Sequence, residues 1–220
     1  VWTQLYGQTE ALCIMAVLRP EDCVDADGNL IPERFETVGR PSPFTRMAIM
    51  DENGALLPPG QKGEIVVQSD LVMDGYYDNP EATAEVSAHG WHHTGDVGAM
   101  DEDGFVRILD RTKDMIITGG LNVFPSEVEN HLMEHPDVHE VAVIGVPDDK
   151  WGEAVKAVIQ LRPGATTDES GFIRYCKAHL GSVKSPKSVD FTDRFPKSAV
   201  GKLLKKDLRA QYWKDVGRQI

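Results

Sequence analysis

The stretch DRTKDMIITGGLNVFPSEVE, residues 110–129, separates two parts of the chain that have different sequence patterns. Before it, turn clusters such as DENG (51–54) and DEDG (101–104) alternate with short runs of β-branched and apolar residues. After it, helix-capping signals and helical periodicity alternate with apolar runs. A charged segment between two such patterns is typical of a domain boundary, and we place that boundary near DRTKD, residues 110–114.

Short strands dominate the first part of the chain. Three segments are rich in β-branched or apolar residues and are flanked by turn residues, which predicts a strand in each. They are TRMAIM (45–50), GEIVVQS (63–69) and FVRILD (105–110). Strands at such regular spacing predict a small sheet or barrel. None of the Asp-rich turns has the full calcium-loop spacing with a closing Glu, so calcium binding is not expected there.

Helix signals recur in the second part. Ser126 and Glu129 have the S-x-x-E spacing of a capping box, and Thr166 and Glu169 repeat it. We therefore expect a helix to start at each of these two positions. A third, amphipathic helix is predicted close to the C-terminal end. The predicted helices cover residues 126–135, residues near 169–180 and residues 203–213.

Strands alternate with these helices. The predicted strands are HEVAVIGVP (139–147), EAVKAVIQL (153–161) and KSVDF (187–191). This βαβ-type alternation predicts an α+β module of about 105 residues with a short central sheet. The whole chain is therefore expected to be α+β, with a sheet-rich or barrel-like first part.

The charge is distributed unevenly along an acidic chain. The formal net charge is -12, whereas residues 171–220 carry 12 Lys or Arg against 4 Asp or Glu. An acidic body with a basic end argues against a general nucleic-acid-binding protein, and it is compatible with a local anion site near the C-terminal end. Charge alone predicts a solvated, Lys-rich helix equally well.

The composition is that of an ordinary water-soluble protein, with 41% hydrophobic and 26% charged residues. No run of about 18 apolar residues is present, so no transmembrane segment is expected. The start of the chain lacks the pattern of a signal peptide, and Val1 in place of Met suggests part of a longer protein. The cysteines are widely spaced and form no C-x-x-C pair, which indicates reduced thiols and a cytoplasmic location. They are Cys13, Cys23 and Cys176.

Several short motifs each allow more than one interpretation. The GK at 201–202 lacks the Gly spacing and the following Ser or Thr of a phosphate-binding P-loop. His92 and His93 are neighbours and would point to opposite faces of a strand, which disfavours a shared metal. The Gly pair at 119–120 is usual for a turn, and it also permits close approach of a ligand to the backbone.

Taken together and in order, five motifs resemble the adenylate-forming superfamily of acyl- and aryl-CoA synthetases, luciferases and peptide-synthetase adenylation domains. They are YGQTE (6–10), GEIVVQSDLVMDGYY (63–77), GWHHTGD (90–96), DRTKDMIITGGLNVFPSEVE (110–129) and PKSAVGK (196–202). The form GGLNVFPSEVE resembles the acyl-CoA ligase branch, because peptide-synthetase domains usually carry an RG-x-RIE-type variant there.

The resemblance implies an architecture for the chain. Residues 1–112 would be the last subdomain, a small distorted β-barrel, of a large adenylate-forming domain. Residues 113–220 would be a small, mobile α+β C-terminal domain. The phosphate-binding loop of the family and most of the acyl pocket lie upstream of this chain, so we expect roughly 300 further residues before it. That missing N-terminal portion would be its main partner.

The resemblance also implies the reaction. A small-molecule carboxylic acid attacks the α-phosphate of ATP, which gives an acyl-adenylate and pyrophosphate. The CoA thiol then displaces AMP and forms a thioester. ATP, Mg²⁺ and CoA are therefore the expected cofactors and substrates. The isolated chain is expected to be inactive or weakly active.

For the nucleotide, the resemblance implies a set of residues in the first part of the chain. Tyr6 would stack on adenine, and Thr9 would bond an α-phosphate oxygen. Glu10 would help to hold Mg²⁺. Asp96 would accept hydrogen bonds from both ribose hydroxyls, since an ionised carboxylate only accepts and has two oxygens. The nucleotide-binding set is Tyr6, Gln8, Thr9, Asp96 and Arg111.

For the chemical steps, the resemblance implies that Lys202 contacts the carboxylate and the α-phosphate region, as a compact point charge on a flexible stem. The catalytic set is Lys202 with Thr9 and Glu10. Rotation about Lys113 as a hinge would remove Lys202 before the second step. The expected CoA-binding residues are Gly119, Gly120, Trp151 and Lys187.

The neighbouring lysines of FPKSAVGKLLKK (195–206) have other expected roles. Lys197 would shape the loop or its field, and Lys205 and Lys206 would lie on the solvated face of the closing helix. Two other functions stay open from the sequence. The acyl group could pass to a carrier protein instead of free CoA, or the chain alone could be a non-catalytic nucleotide-binding or interaction module.

Overall fold

A computed structural model describes residues 2–11 and 14–214 of the chain. The chain divides into two compact units, Val1–Thr112 and Lys113–Ile220. Within the described ranges, no helix is both long enough and apolar enough to cross a bilayer. The described residues also include short 3-10 helices. These are Thr9–Ala11, Pro20–Cys23, Pro32–Glu36, Ala88–Gly90 and Thr112–Asp114.

The described residues of the first unit form two antiparallel sheets and one short α-helix. Both sheets follow the chain order, so each strand pairs with the one before it. The three-stranded sheet consists of β1 (Gln4–Tyr6), β2 (Ala16–Leu18) and β3 (Arg40–Pro41). The four-stranded sheet consists of β4 (Arg46–Met50), β5 (Lys62–Gln68), β6 (His92–Met100) and β7 (Val106–Arg111). The helix α1 is Pro80–Val86.

Asp side chains form the turns of the four-stranded sheet. In DENG, Asp51 Oδ1 accepts hydrogen bonds from the backbone N–H groups of Asn53 and Ala55 at 2.9 and 2.8 Å. In DEDG, Asp101 Oδ1 accepts from the N–H of Phe105 at 2.8 Å. Asp is favoured in turns because its carboxylate accepts hydrogen bonds from backbone N–H groups that have no strand partner where the chain reverses. The Asp-rich clusters are thus explained by strand connection.

The predicted strands of the first unit are confirmed, and so is its mixed, sheet-rich class. Residues 45–50, 63–69 and 105–110 correspond to β4, β5 and β7 within a residue or two. In the part of the chain that the structure describes, the strands form two open sheets and no closed barrel. The barrel-like subdomain that was expected therefore takes the form of two sheets around an apolar core that includes Met15, Ile65 and Val106.

The second unit is built around one sheet in the order β10-β11-β8-β9, and β12 pairs in parallel with β11. Its strands are β8 (Ile116–Thr118), β9 (Leu121–Val123), β10 (Val138–Asp148), β11 (Gly152–Leu161) and β12 (Ser188–Phe191). Its helices are α2 (Pro125–Met133), α3 (Glu169–Lys184) and α4 (Lys205–Trp213). All the strands and helices predicted for this region are present.

Both faces of the β10–β11 ladder are buried. Val141 and Val143 of β10 belong to a cluster that includes Val128 of α2 and Phe172 of α3. Ala142 and Ile144 belong to a second cluster, which includes Leu208 of α4. Successive side chains of a strand point to opposite faces, so an uninterrupted apolar run requires cover on both sides. The helices α2 and α3 therefore cover one face, and α4 covers the other.

The predicted capping box at Ser126 and Glu129 is wrong. The helix α2 begins at Pro125, and its N-cap residue is Phe124, which makes no side-chain capping bond. Proline is favoured at the first helical position because it lacks the N–H group that would be unpaired there. The Glu129 carboxylate instead accepts from the N–H of Val143 at 2.7 Å and forms an ion pair with Lys205 at 2.7 Å. Glu129 thus connects α2 with the sheet and with α4.

The second predicted capping box is also wrong by two residues. The N-cap of α3 is Asp168, whose carboxylate accepts from the N–H of Gly171 at 2.8 Å. This hydrogen bond and a second one from the Ser170 hydroxyl lower the pKa of Asp168. Glu169 does not close a box at Thr166; its carboxylate accepts from the N–H of Val189 in β12 at 2.9 Å. Asp168 and Glu169 are adjacent carboxylates, and either could lie at the start of the helix from the sequence alone. The structure shows that α3 begins at Glu169, which makes Asp168 the N-cap residue.

We expect Asp168→Ala to lower the melting temperature of the chain by about 2–4 °C, because α3 loses its N-terminal cap. Thr166→Ala is the matched control, since Thr166 is exposed and precedes the helix, and it is expected to change the melting temperature by less than half as much. Thermal denaturation followed by circular dichroism at 222 nm compares the two variants. A larger effect at Thr166 would contradict the assigned cap.

Candidate functional site

A buried carboxylate is the centre of the candidate site in the first unit. The hydroxyl of Tyr6, at the end of β1, donates to Asp96 Oδ2 at 2.7 Å. The Nε atom of Arg111 lies 3.0 Å from Asp96 Oδ1. Asp96 is 6% exposed, and it lies directly opposite Arg111 in the β6–β7 register. The structure therefore brings together three of the predicted nucleotide-binding residues.

The T-G-D motif forms an irregularity in the sheet that directs Asp96 inwards. The register of β5 and β6 shifts between Glu64 and Val66, where Thr94, Gly95 and Asp96 face the single residue Ile65. Gly95 has a φ of 71°, a conformation that side chains of L-residues rarely adopt. Bulges of this kind re-aim side chains and are common beside functional sites.

Hydrogen bonds hold this bulge in place. The Thr94 hydroxyl donates to the carbonyl of Ile65 at 2.7 Å and accepts from the N–H of Asp96 at 3.1 Å. The N–H of Gly95 donates to Glu64 Oε1 at 2.9 Å. The three residues of the motif thus have different structural roles, because Thr94 bridges the strands, Gly95 supplies the positive φ, and Asp96 carries the charge.

The segment that follows Tyr6 contacts two residues that the sequence did not assign to the site. Gln8 Nε2 lies 2.6 Å from His92 Nε2, and the hydroxyl of Tyr76 donates to Glu10 Oε1 at 3.1 Å. Thr9 is exposed at the start of a 3-10 helix, and Glu10 is partly buried. His92 and Tyr76 could not be found from spacing, because each is more than sixty positions from its partner.

The two adjacent histidines have different partners, as their opposite faces predict. His92 contacts Gln8, whereas His93 Nδ1 lies 2.8 Å from Glu64 Oε2. Over residues 2–11 and 14–214, no group of three His, Cys, Asp or Glu side chains is placed to hold a metal ion. The His92–His93 pair is therefore accounted for by contacts within the protein.

Burial shifts two pKa values in this cluster. Burial raises the pKa of Tyr6, so its hydroxyl stays protonated at neutral pH and donates a hydrogen bond to Asp96. Burial also lowers the pKa of His92, and the nearby charge of Glu10 opposes this effect in part. His92 is consequently neutral near pH 7.

In the second unit, the Gly pair forms the turn of the β8–β9 hairpin. Thr118 pairs with Leu121, so Gly119 and Gly120 are the two turn residues, with φ values of 58° and 79°. Two positive φ values are typical of the type I′ turn that joins twisted strands. The N–H of Gly119 donates to the carbonyl of Trp151 at 2.9 Å. A Cβ atom on Gly119 would lie 2.7 Å from Trp151 Cε3.

These contacts group three of the four expected CoA residues. Gly119, Gly120 and Trp151 share one surface feature, in which the indole ring lies against a backbone without side chains; Trp151 is 45% exposed. The fourth residue, Lys187, precedes β12, and its ammonium group donates to the carbonyl of Ser182. The ammonium group of Lys187 is therefore engaged with its own unit.

Lys202 lies at the end of a tight loop. Ser198 and Lys202 are joined by two hydrogen bonds, from the N–H of Ser198 to the Lys202 carbonyl at 2.8 Å and from the N–H of Lys202 to Ser198 Oγ at 3.1 Å. Gly201 has a φ of 81° and lets the chain reverse. Backbone bonds on both sides thus define the position of Lys202, while its side chain is exposed.

The other lysines of FPKSAVGKLLKK are distinguished by their partners. Lys197 pairs with Glu140 at 2.8 Å, and Lys205 pairs with Glu129 at 2.7 Å. The expectation that Lys205 lies on a solvated face is therefore wrong, whereas Lys206 is exposed as expected. Among residues that the structure describes, Lys202 makes no ion pair, so its charge is available to an external anion.

Comparisons with known proteins find relatives along the whole chain. The profile of the AMP-binding enzyme family matches residues 2–77, and that of the AMP-binding enzyme C-terminal domain matches residues 127–202. A medium/long-chain-fatty-acid–CoA ligase of Mycobacterium tuberculosis is 42% identical and covers 100% of this chain. A feruloyl-CoA synthase of an Amycolatopsis species is 44% identical over 96% of it.

A solved structure is similar as well. The crystal structure of ATP-bound MatB from Rhodopseudomonas palustris has a TM-score of 0.84 and 37% identity, over 98% of this chain and 41% of that one. The chain belongs to the adenylate-forming superfamily of AMP-binding enzymes. It spans 38% and 41% of the length of the two sequence relatives.

The lowered pKa of His92 predicts a pH-dependent stability. As the pH falls below 6.5, the unfolded chain takes up a proton before the folded chain does, so the free energy of unfolding decreases with decreasing pH. Well above pH 6.5, His92 is neutral in both the folded and the unfolded chain, and the effect disappears.

We expect His92→Leu to reduce the slope of unfolding free energy against pH in the acid range, by at most about 1.4 kcal/mol per pH unit. His139→Leu is the control, because His139 is exposed. Chemical denaturation between pH 5 and 7.5, followed by tryptophan fluorescence, measures the slope. An equal change in both variants would rule out burial of His92 as the cause.

Proposed function

We propose that the chain is the C-terminal part of an AMP-forming acyl- or aryl-CoA synthetase. The full protein would convert a carboxylic acid and ATP into an acyl-adenylate and pyrophosphate, and would then transfer the acyl group to CoA with release of AMP. The observation that carries this proposal is the buried Asp96 carboxylate, held by the T-G-D bulge between Tyr6 and Arg111 in a chain of this family.

The nucleotide would bind at the Asp96 cluster. Each carboxylate oxygen has two lone-pair sites, so Asp96 can accept from a ribose cis-diol while Tyr6 and Arg111 hold its orientation. Arg111 is exposed and would add donors to the ribose, and Gln8 and Thr9 would contact the nucleotide from the adjacent segment. Tyr6 is buried, at 9% exposure, and its stacking on adenine stays a prediction. The similarity to an ATP-bound relative supports ATP as the nucleotide.

Glu10 fits a role in Mg²⁺ binding. Magnesium is usually held by one or two carboxylates together with substrate phosphates and water, rather than by an all-protein cage. Glu10 offers one partly buried carboxylate next to the exposed hydroxyl of Thr9, and Tyr76 orients one of its oxygens. When bound, Mg²⁺ would neutralise phosphate charge. Thr9 would donate a hydrogen bond to an α-phosphate oxygen and so orient the α-phosphate.

Lys202 would act in adenylate formation. Attack of a carboxylate on the α-phosphate brings two anions together, and a positive charge at that point stabilises the transition state. The loop bonds at Ser198 and the positive φ of Gly201 fix where the Lys202 side chain starts. The neighbouring Lys197 and Lys205 are neutralised by Glu140 and Glu129, which leaves the charge of Lys202 for the reacting anions.

The thioester step would use the Gly119–Trp151 surface. Rotation of the second unit about Lys113 would withdraw Lys202 and bring this surface to the adenylate. The turn glycines leave the backbone open to a narrow pantetheine chain, and the exposed indole of Trp151 offers an apolar contact. Lys187 would contribute to the CoA nucleotide after release of its contact with the Ser182 carbonyl.

The site of acid selection is inferred from the relatives, and the compartment is inferred from the cysteines. Relatives of almost equal identity are named for fatty acids and for ferulate, so the acid would be selected upstream of these residues. Cys23 and Cys176 are buried free thiols, which supports a reducing, cytoplasmic location; Cys13 lies outside the described residues.

We expect Lys202→Ala in the full-length protein to reduce acyl-adenylate formation by at least about 100-fold, because the transition state loses its positive charge. Thioester formation from supplied acyl-adenylate should be retained. Pyrophosphate release and acyl-CoA production measure the two half-reactions separately. Lys206→Ala, which removes an exposed charge of the same loop–helix region, is the control, and equal loss in both half-reactions would contradict the role.

We expect Gly119→Ala to slow thioester formation from supplied acyl-adenylate by about tenfold to a hundredfold. The new Cβ atom would lie 2.7 Å from Trp151 Cε3, so the indole must move, while adenylate formation should be nearly unchanged. Gly164→Ala is the control, since it has a positive φ and no atom within 4 Å of the new Cβ. If the unaltered protein makes adenylate but no acyl-CoA from free CoA, the result would favour a carrier protein as the acceptor.

A further inference from the structure

The helix α4 is fixed to the second unit along one face. Lys205 pairs with Glu129, Leu208 is buried in the apolar cluster, and Tyr212 donates to Asp190 Oδ2 at 2.6 Å. Positions 205, 208, 209 and 212 have the spacing of residues on one side of a helix. At the end of α4, the indole N–H of Trp213 donates to the carbonyl of Gly145 at 3.0 Å. These contacts hold the helix at both ends and at its centre.

The fourth member of this face, Arg209, contacts the first residues of its unit. Its Nη1 atom donates to the backbone carbonyl of Lys113 at 2.8 Å, and Nη2 lies 3.7 Å from Asp114 Oδ1. The side chain of Arg209 is only 14% exposed, and in the described part of the chain its Nε atom is buried without a hydrogen-bond partner. A charged group with so little water around it makes a hydrogen bond that is costly to break.

We propose that Arg209 is a positioning residue that fixes the Lys113–Asp114 peptide to the second unit and so keeps the pivot at Lys113 instead of at the residues that follow it. The proposal rests on the proposed function only for the role of Lys113 as a hinge. The contact on which it depends lies entirely within the second unit.

The geometry of a peptide explains the selection. Rotation about the N–Cα bond or the Cα–C bond of Lys113 carries its carbonyl oxygen together with every later residue, Arg209 included, and leaves the 2.8 Å hydrogen bond intact. Rotation about the N–Cα or Cα–C bond of Asp114 would instead move Arg209 relative to that carbonyl, because the planar peptide keeps the oxygen with Lys113, and would break the bond. The hydrogen bond therefore opposes motion at φ and ψ of Asp114 and permits motion at Lys113 and at the bonds before it.

The same contact relates the hinge to Lys202. The helix α4 begins at Lys205, and the N–H of Leu204 donates to the carbonyl of Pro196 at 2.9 Å, which connects the helix start with the Lys202 loop. Arg209 lies about one helical turn beyond Lys205. The short segment 204–209 therefore contacts the Lys202 loop at its first residue and the hinge peptide at its last residue.

Tryptic cleavage tests the contact directly. Trypsin cuts after Lys and Arg, and the bond after Lys113 contains the carbonyl that Arg209 holds. The bond after Arg111 lies two residues earlier and serves as the internal reference. Arg209→Met keeps the length of the apolar stem and removes every donor. We expect the ratio of initial cleavage rates, Lys113 to Arg111, to rise about tenfold in the folded 220-residue chain, as for loss of one charge-assisted hydrogen bond.

Lys206→Met is the matched control, because it makes the same substitution at an exposed position of the same helix. It should leave the ratio unchanged. If Arg209→Met does not fold, Arg209→Lys keeps the charge and replaces the planar fork by a single ammonium, and the ratio should still rise at least about threefold. An unchanged ratio, or equal acceleration at both bonds, would overturn the proposal.

A second measurement addresses the hinge in the full-length protein. With Arg209→Met we expect acyl-CoA formation from acid, ATP and CoA to fall about tenfold, with adenylate formation alone changed less than about threefold, because the switch between steps loses its defined pivot. Equal loss in both would overturn the hinge role of Arg209. A full-length protein that forms no adenylate at all would contradict the proposed function, while the cleavage ratio would still decide the contact.

Discussion

The arrangement of the second unit depends on one constraint, the antiparallel β10–β11 ladder that is apolar on both faces. Val141 and Val143 alternate with Ala142 and Ile144, so neither face can be left to water. One face is covered by α2 and α3, and the other is covered by α4. The position of α4 in turn places Arg209 beside the Lys113 carbonyl and puts the Lys202 loop at the start of the same helix.

In the first unit, a bulge has the comparable role. A regular β6 would point alternate side chains to opposite faces, whereas Thr94, Gly95 and Asp96 together face the single residue Ile65. The positive φ of Gly95 and the shift in register turn Asp96 towards Tyr6 and Arg111. A charge that is 6% exposed would be costly without partners, and these two donors offset that cost.

Electrostatic pairing distinguishes residues that the sequence presents as equivalent. Four lysines lie within FPKSAVGKLLKK, and two of them are paired with Glu140 and Glu129 on other elements. Glu129 also illustrates how a local pattern can mislead, since its spacing from Ser126 matches a capping box while its carboxylate serves the N–H of Val143. Spacing identifies which residues can interact within a turn of chain, but it does not show which longer-range partner competes for them.

Sequence alone predicts the longer elements, because periodicity, turn residues and apolar runs are local properties. It does not predict the short strands β1, β2, β3, β8 and β9, the strand β6 (His92–Met100) or the helix α1 (Pro80–Val86). The ordered motifs also identify the family and its candidate residues, including Asp96 and Lys202. Only the tertiary structure shows the helix caps at Phe124 and Asp168 and the open sheets of the first unit. It alone also shows the contacts of Gln8 with His92 and of Arg209 with Lys113. Those contacts join residues 84 and 96 positions apart, and such distances are closed only by sheet register and helix packing, which no local pattern specifies.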